Sequence, residues 1–266
     1  MLTLATDYYP PSKASQSAPV LVFVHGLLGK GEDWQVCYQF LKHFPILTVD
    51  LPCHGKSHQV HCDGFNHACQ AIDTSVSQAL TEKGFAASHP IILIGYSLGG
   101  RLAMYGMAHQ SFSSLSIAQV IIEGGNFGLL SDDERNRRWK NDTQWAERFR
   151  SEDIGCVLSD WYQQSVFSSL NDEQRQDLIQ KRSNNIGTAI ANMLLSTSLA
   201  KQPDLRAALQ SVGQPFHYVC GSKDLKFRTL AEQSHLPFTV INDAGHNVHQ
   251  EQPKSLALCI ENLINH

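Results

Sequence analysis

The residues best placed to do chemistry lie in Ile91-Ile92-Leu93-Ile94-Gly95-Tyr96-Ser97-Leu98-Gly99-Gly100-Arg101. An apolar run ends in Gly-Tyr-Ser-Leu-Gly, and a helix-compatible segment follows. This is the strand, sharp turn and helix in which a G-x-S-x-G nucleophile elbow works. Such a turn strains the serine backbone, so Gly95 and Gly99 must let strand and helix approach without side-chain clashes. Amides at the start of the next helix favour negative charge beside Ser97. Two more reactive residues each follow a strand-like run: Asp224 after Tyr218-Val219-Cys220-Gly221, and His246 after Phe238-Thr239-Val240-Ile241. His246 would take the serine proton, and Asp224 would hold the imidazole in the right tautomer and stabilise its charge. Glu123, which ends Val120-Ile121-Ile122, is the rival acid. Asp224 is preferred because its loop directly precedes the histidine strand. Asp243 lies too close to His246 in sequence.

An oxyanion hole needs two backbone donors: the amide after the nucleophile, at Leu98, and one from the loop after the first core strand, at Leu27. Gly26 keeps that loop near the serine, and His25 is read as a structural loop histidine. His54, His58 and His61 lack the carboxylate or cysteine spacing of a metal site, so neither a metal nor a cofactor is expected. Arg101 is one helical turn beyond Ser97 on the same face. By itself it suits a surface ion pair and a pocket contact equally. Further arginines at 135, 137, 138, 148, 150, 175 and 182 tilt the balance toward a pocket for a substrate with several carboxylates.

Several elements must position these groups. Val20–Val24 reads as a strand buried on both faces, followed by the Gly-rich His25–Gly31 and an amphipathic segment holding Trp34, Tyr38, Phe40 and Leu41. Ile46–Asp50 is the next strand, and a helix is expected from about Phe65 to Leu80 before the elbow strand. Strands alternating with helices predict an α/β fold with a mostly parallel sheet, which gathers the strand-end residues on one edge. From Asn126 to about Leu209 the chain is polar, helix-rich and almost strand-free. So long a connection must carry structure of its own. The expected organisation is a core over 1–125 and 210–266, with 126–209 inserted as a helical cap over the strand ends.

A chain of 266 residues can bury one substantial core. Its net charge of −4 argues against nucleic acid as a main partner. No apolar run approaches the ~20 residues that span a bilayer, and Met1–Asp7 lacks the features of a signal peptide. Seven scattered cysteines without C-x-x-C read as reduced thiols, which predicts a cytoplasmic protein in which the Asn141-Asp142-Thr143 sequon is inert. A monomer or weak homo-oligomer acting on a small polyanionic carboxylate is expected.

Longer motifs sharpen the reading. Val-Asp-Leu-Pro at 49–52, Gly-Tyr-Ser-Leu-Gly-Gly-Arg at 95–101 and Glu-Gly-Gly at 123–125 belong to the predicted core. Gln-Trp-Ala-Glu-Arg-Phe at 144–149, Asp-Trp-Tyr-Gln-Gln at 160–164, Leu-Asn-Asp-Glu-Gln-Arg at 170–175, Arg-Ser-Asn-Asn at 182–185 and Ser-Leu-Ala-Lys-Gln-Pro-Asp-Leu-Arg at 198–206 belong to the predicted cap. With Ala-Gly-His-Asn at 244–247, they make the chain resemble the 2-succinyl-6-hydroxy-2,4-cyclohexadiene-1-carboxylate synthases of menaquinone biosynthesis, which are lyases of the α/β-hydrolase fold. The likeness runs through nearly the whole chain, and the cap motifs are its specific part, since many hydrolases share the elbow.

The resemblance implies an elimination. 2-Succinyl-5-enolpyruvyl-6-hydroxy-3-cyclohexene-1-carboxylate would lose pyruvate, with Ser97 as the base that His246 and Asp224 activate and no acyl-enzyme required. It implies that the Leu27 and Leu98 amides meet charge on the succinyl carbonyl, that Arg101, Arg138 and Arg182 bind substrate carboxylates, and that Tyr96 and Trp161 line the pocket. Two positions depart from the family pattern: Cys53 replaces a glycine of the Asp-x-Pro-Gly-His-Gly stretch, and Leu28 stands where a small hydroxyl residue is expected. The alternatives are a carboxylesterase or thioesterase acting through an acyl-Ser97, and a non-catalytic binding protein of the same fold. An intact Ser97, Asp224 and His246 argues against the latter.

Overall fold

The computed structural model describes residues 3–12 and 18–265, so Met1 and Leu2 of the N-terminal segment lie outside it. Its first half runs β1 (Thr6–Tyr9), β2 (Val20–Val24), α1 (Gln35–Tyr38), β3 (Ile46–Val49), α2 (Phe65–Glu82), β4 (Ile91–Tyr96), α3 (Leu98–Ala108) and β5 (Ile117–Glu123). Five helices follow: α4 (Asp132–Ser151), α5 (Ile154–Trp161), α6 (Asp172–Arg182), α7 (Gly187–Ser196) and α8 (Arg206–Gln210). The chain then returns to the sheet with β6 (Phe216–Gly221), α9 (Leu225–Ser234), β7 (Phe238–Ile241), α10 (Val248–Glu251) and α11 (Pro253–Asn265).

The seven strands form one sheet in the order β1-β3-β2-β4-β5-β6-β7. All neighbours are parallel except β1, which pairs antiparallel with β3 from Thr6 opposite Val49 to Tyr9 opposite Ile46. β1 has no counterpart in the sequence reading, because its Thr-Asp-Tyr-Tyr is a half-buried edge strand without an apolar run. The amphipathic segment around Trp34 also differs, consisting of one 3₁₀ turn at Gly31–Trp34 and the short α1.

Side-chain alternation shows why the central strands read as continuous apolar runs. Val20, Val22 and Val24 face a cluster that includes residues of α2 and α3, while Leu21 and Phe23 face one that includes residues of α1 and α11. Both faces are dry, so neither takes polar residues. A third cluster (Ala146, Phe149, Val157, Leu158, Ile190 and Leu194 among others) belongs almost entirely to α4–α7, and Leu28 enters it from the β2 loop with Leu27 packed against it. The very polar α4 starts on a reciprocal capping box between Ser131 and Glu134, which satisfies amides that the helix itself leaves free.

Candidate active site

Ser97 lies between β4 and α3 with φ 49° and ψ −105°, a conformation that non-glycine residues rarely hold. Its amide donates to the Glu123 carbonyl at 2.8 Å, tying the turn to the end of β5. A Cβ on Gly99 would collide with the Val24 carbonyl, and one on Gly95 would come within 2.6 Å of the Gly99 carbonyl. Strand and helix cross too closely there for any side chain.

His246 Nδ1 lies 2.9 Å from Asp224 Oδ2, and its Nε2 lies 3.3 Å from Ser97 Oγ. A carboxylate only accepts, so Nδ1 carries the ring proton and Nε2 is left as the acceptor for the serine hydroxyl. Asp224 Oδ1 caps α9 by accepting the Phe227 amide. The histidine is buried, its ring 4.5 Å from that of Phe227 and 5.3 Å from that of Tyr96. Glu123, the rival acid, turns instead to His249: its Oε1 accepts from the His249 amide at 3.1 Å and contacts Nδ1 at 2.8 Å.

A cavity of about 220 Å³ opens above Ser97, lined by Leu27, Tyr96, Leu98, Arg101, Arg138, Trp161 and His246 with residues of the intervening helices. Leu28 and Gly29 use their amides within the fold, on His54 and Gly26. Among the described residues the Leu27 and Leu98 amides donate to no protein acceptor, so both are available beside Ser97. The φ of Leu28 is 69°, and its side chain is buried in the helical cluster while its carbonyl accepts from Asn185. A leucine here thus pins the loop to the helices. Cys53, with φ 66°, sits in a conformation that favours glycine, and its thiol, pushed up to about 12 by burial, donates to Asn192 on α7.

His25 and His54 hold this loop in place. The Leu51 amide donates to His25 Nε2 and the Leu28 amide to His54 Nε2, both at 2.9 Å, so each Nδ1 carries its proton toward a backbone carbonyl, of Gly26 and Pro52 respectively. Burial pushes His25 down to about 4 and His54, with help from the His25 charge, to about 3. Both rings stay neutral at pH 7 and act as spacers.

Arg101 reaches the cavity as a buried side chain. Its Nε donates to Gln202 Oε1 at 2.6 Å and its Nη2 to the Thr197 carbonyl at 2.7 Å. Burial and the nearby Arg138 charge push it down to about 9. Arg138 Nε pairs with Asp142 at 2.7 Å, and Asp142 also accepts the Ser198 hydroxyl. Trp161 is held edge-on against Trp145 at 5.0 Å. The Tyr96 hydroxyl donates to Asn247, and burial, with Glu123 nearby, keeps the phenol protonated.

Arg182, expected to bind a substrate carboxylate, is held here by a carboxylate of the protein. It is absent from the residues around this cavity, and its guanidinium makes a bidentate pair with buried Asp33, Nη1 to Oδ1 at 2.8 Å and Nη2 to Oδ2 at 2.7 Å. Burial disfavours charge on both, but their attraction outweighs it, holding Arg182 above and Asp33 below their usual values. The residues that sequence reading missed are Thr197, Gln202, Phe167, Lys226 and Phe227. Only Gln202 had a signal, inside the Lys-Gln-Pro-Asp motif. Among the described residues no three His, Cys, Asp or Glu side chains group as a metal site.

The alpha/beta hydrolase family matches residues 21–257. The chain is 42% identical over 255 residues to the 2-succinyl-6-hydroxy-2,4-cyclohexadiene-1-carboxylate synthase of Yersinia enterocolitica, covering 96% of this chain and 90% of that protein. It is also 42% identical over 261 residues to the protein of that name from Yersinia pseudotuberculosis, covering 97% and 93%. Among solved structures, MenH from S. aureus superposes with a TM-score of 0.85 at 22% identity, covering 98% of this chain and 97% of that one. A thermophilic esterase from Thermogutta terrifontis gives 0.76 at 21%, covering 98% and 93%. These last two likenesses speak to the fold. The chain belongs to the alpha/beta hydrolase family and, within it, to the 2-succinyl-6-hydroxy-2,4-cyclohexadiene-1-carboxylate synthases.

Proposed function

We propose that the protein is a carbon–oxygen lyase that eliminates pyruvate from 2-succinyl-5-enolpyruvyl-6-hydroxy-3-cyclohexene-1-carboxylate, giving 2-succinyl-6-hydroxy-2,4-cyclohexadiene-1-carboxylate in menaquinone biosynthesis. The observation that carries this reading is a serine within reach of an imidazole, in a cavity that also holds Arg101 and Arg138. The helices of 126–209 act as the cap that supplies Arg138 and Trp161. The ring proton beside the succinyl carbonyl is acidic because its removal gives an enolate. Ser97 Oγ takes it while passing its own proton to His246 Nε2, and Asp224 stabilises the imidazolium. Charge on the succinyl oxygen meets the Leu27 and Leu98 amides, which need no reorganisation. The electrons then close the first ring double bond, shift the existing one and break the bond to the enolpyruvyl oxygen. His246 returns its proton to the departing group, which leaves as pyruvate. Arg101 and Arg138 bind substrate carboxylates, Tyr96 and Trp161 shape the walls, and Arg182 acts at a distance by holding Asp33 and the loop that carries Leu27.

No covalent intermediate is required, and this separates the reading from an esterase acting through acyl-Ser97. Purified protein mixed with the enolpyruvyl substrate should release one pyruvate per product. With activated esters it should show no burst of acyl-enzyme. A burst without pyruvate release assigns the triad to acyl transfer.

A further inference from the structure

Three cationic side chains line the cavity: Arg101, Arg138 and Lys226. Their surroundings differ. Arg101 is held by two neutral acceptors, and Arg138 is paired with Asp142. Among the described residues the Lys226 ammonium has neither an ion pair nor a hydrogen bond, and it stands over the Phe227 ring, 5.5 Å from Nζ to centroid. Asp224, the nearest acid in sequence, is engaged by His246 and the Phe227 amide.

The placement of Lys226 follows from the triad. It is the second residue of α9, whose N-cap is Asp224, so the contact that fixes the catalytic acid also fixes the lysine backbone. The Phe227 ring is near both functional groups, 4.5 Å from the His246 ring and 5.5 Å from Lys226 Nζ. Lys226 therefore stands on the imidazole side of the cavity, while Arg101 and Arg138 come from α3 and α4. Lys226 stands exposed at the rim of the cavity, where an incoming anion can reach its ammonium.

The substrate proposed above carries a carboxylate on the ring, one on the succinyl arm and one on the enolpyruvyl group. The first two stay on the product, and the third leaves. The group that leaves must lie next to the proton donor, His246. Resting on that reading of the reaction, we propose that Lys226 binds the carboxylate of the departing enolpyruvyl group, leaving the two retained carboxylates to Arg101 and Arg138. An ammonium suits this position because it is a compact charge on a flexible stem, able to follow a group that moves away from the ring.

The test measures binding without turnover. In the Ser97→Ala background, calorimetric titration gives the affinity for the substrate and for the dicarboxylate product, with and without Lys226→Met. Substrate affinity should weaken about 10-fold or more, as expected for a lost charge-assisted contact. Product affinity should stay within about threefold, and Lys226→Arg should restore substrate binding. Equal weakening for both ligands, or none for either, overturns the assignment while leaving the lyase reading intact. If Ser97→Ala protein that is folded by circular dichroism binds neither ligand, both the assignment and the lyase reading fall.

Discussion

Replacing Arg101 with methionine should remove activity without unfolding the protein, because the same guanidinium serves the cavity and burdens the fold. Arg101 is 9% exposed, and burial with the Arg138 charge pushes it from 12.5 to about 9. At about 1.4 kcal/mol per pH unit, keeping it charged in the folded state costs roughly 5 kcal/mol at neutral pH. Opposing this are its two hydrogen bonds, to Gln202 and to the Thr197 carbonyl. Bonds of this charge-assisted kind contribute about 1.5–3 kcal/mol each. The opposing sums nearly cancel, and methionine replaces the apolar stem beside Phe65. Unfolding free energy should therefore stay within about 2 kcal/mol of wild type, while kcat/KM falls about 10²-fold or more. Linkage supplies an independent check on the cause. Because the folded-state value lies below the unfolded one, wild type carries the full penalty below pH 9 and sheds it as the pH rises toward 12.5. Urea titrations from about pH 7.5 to 10.5 should show the stability difference moving in favour of wild type as pH rises. A variant far less stable at neutral pH, with a difference that ignores pH, would refute this reasoning.

Three other perturbations follow from the same geometry. Asp224→Asn should lower kcat by about 10⁴-fold in a pyruvate-release assay, because an amide facing Nδ1 allows the tautomer that cannot accept the Ser97 proton; near-normal turnover would remove Asp224 from the triad. Arg182→Ala strands the buried Asp33 carboxylate and should cost about 3–5 kcal/mol by denaturant titration at pH 7. The Asp33 value is depressed in the fold, so this loss should shrink as the pH falls below the usual carboxylate range. His54→Gln should make the protein less sensitive to acid, since glutamine can still accept from Leu28 and donate to Pro52. The His54 value is lowered to about 3, so wild type loses stability as the pH falls from 6.5 toward that value, and the variant should melt with a flatter dependence between pH 6.5 and 4.

What the sequence revealed depended on whether a residue's partners lie near it along the chain or at a strand end. That Ser97, Asp224 and His246 lie together was legible because each follows a strand, and a parallel sheet brings strand ends together. The hydrogen bond between residues 224 and 246 spans one α9–β7 unit. The Arg182–Asp33 pair had no signal in the sequence, because the two residues lie 149 positions apart and Asp33 is in a loop without periodicity. Glu123 and Asp224 looked alike as acids at strand ends, and only the position of His249 shows what Glu123 serves. β1 escaped notice because an edge strand keeps polar residues, and Lys226 because an exposed lysine near a helix start carries no pattern that marks a cavity rim. Arg101 was readable as a pocket residue, but not the Thr197 and Gln202 acceptors that place it.

The claim on which the rest depends is that Ser97 serves as a base in an elimination. Single-turnover measurement of pyruvate release from the enolpyruvyl substrate, comparing wild type with Ser97→Ala, tests it most directly. Wild type should release pyruvate together with the dihydroaromatic product, and Ser97→Ala, still folded, should do so at least about 10³-fold more slowly. Pyruvate release by Ser97→Ala at the wild-type rate, or none from wild type, would contradict the account.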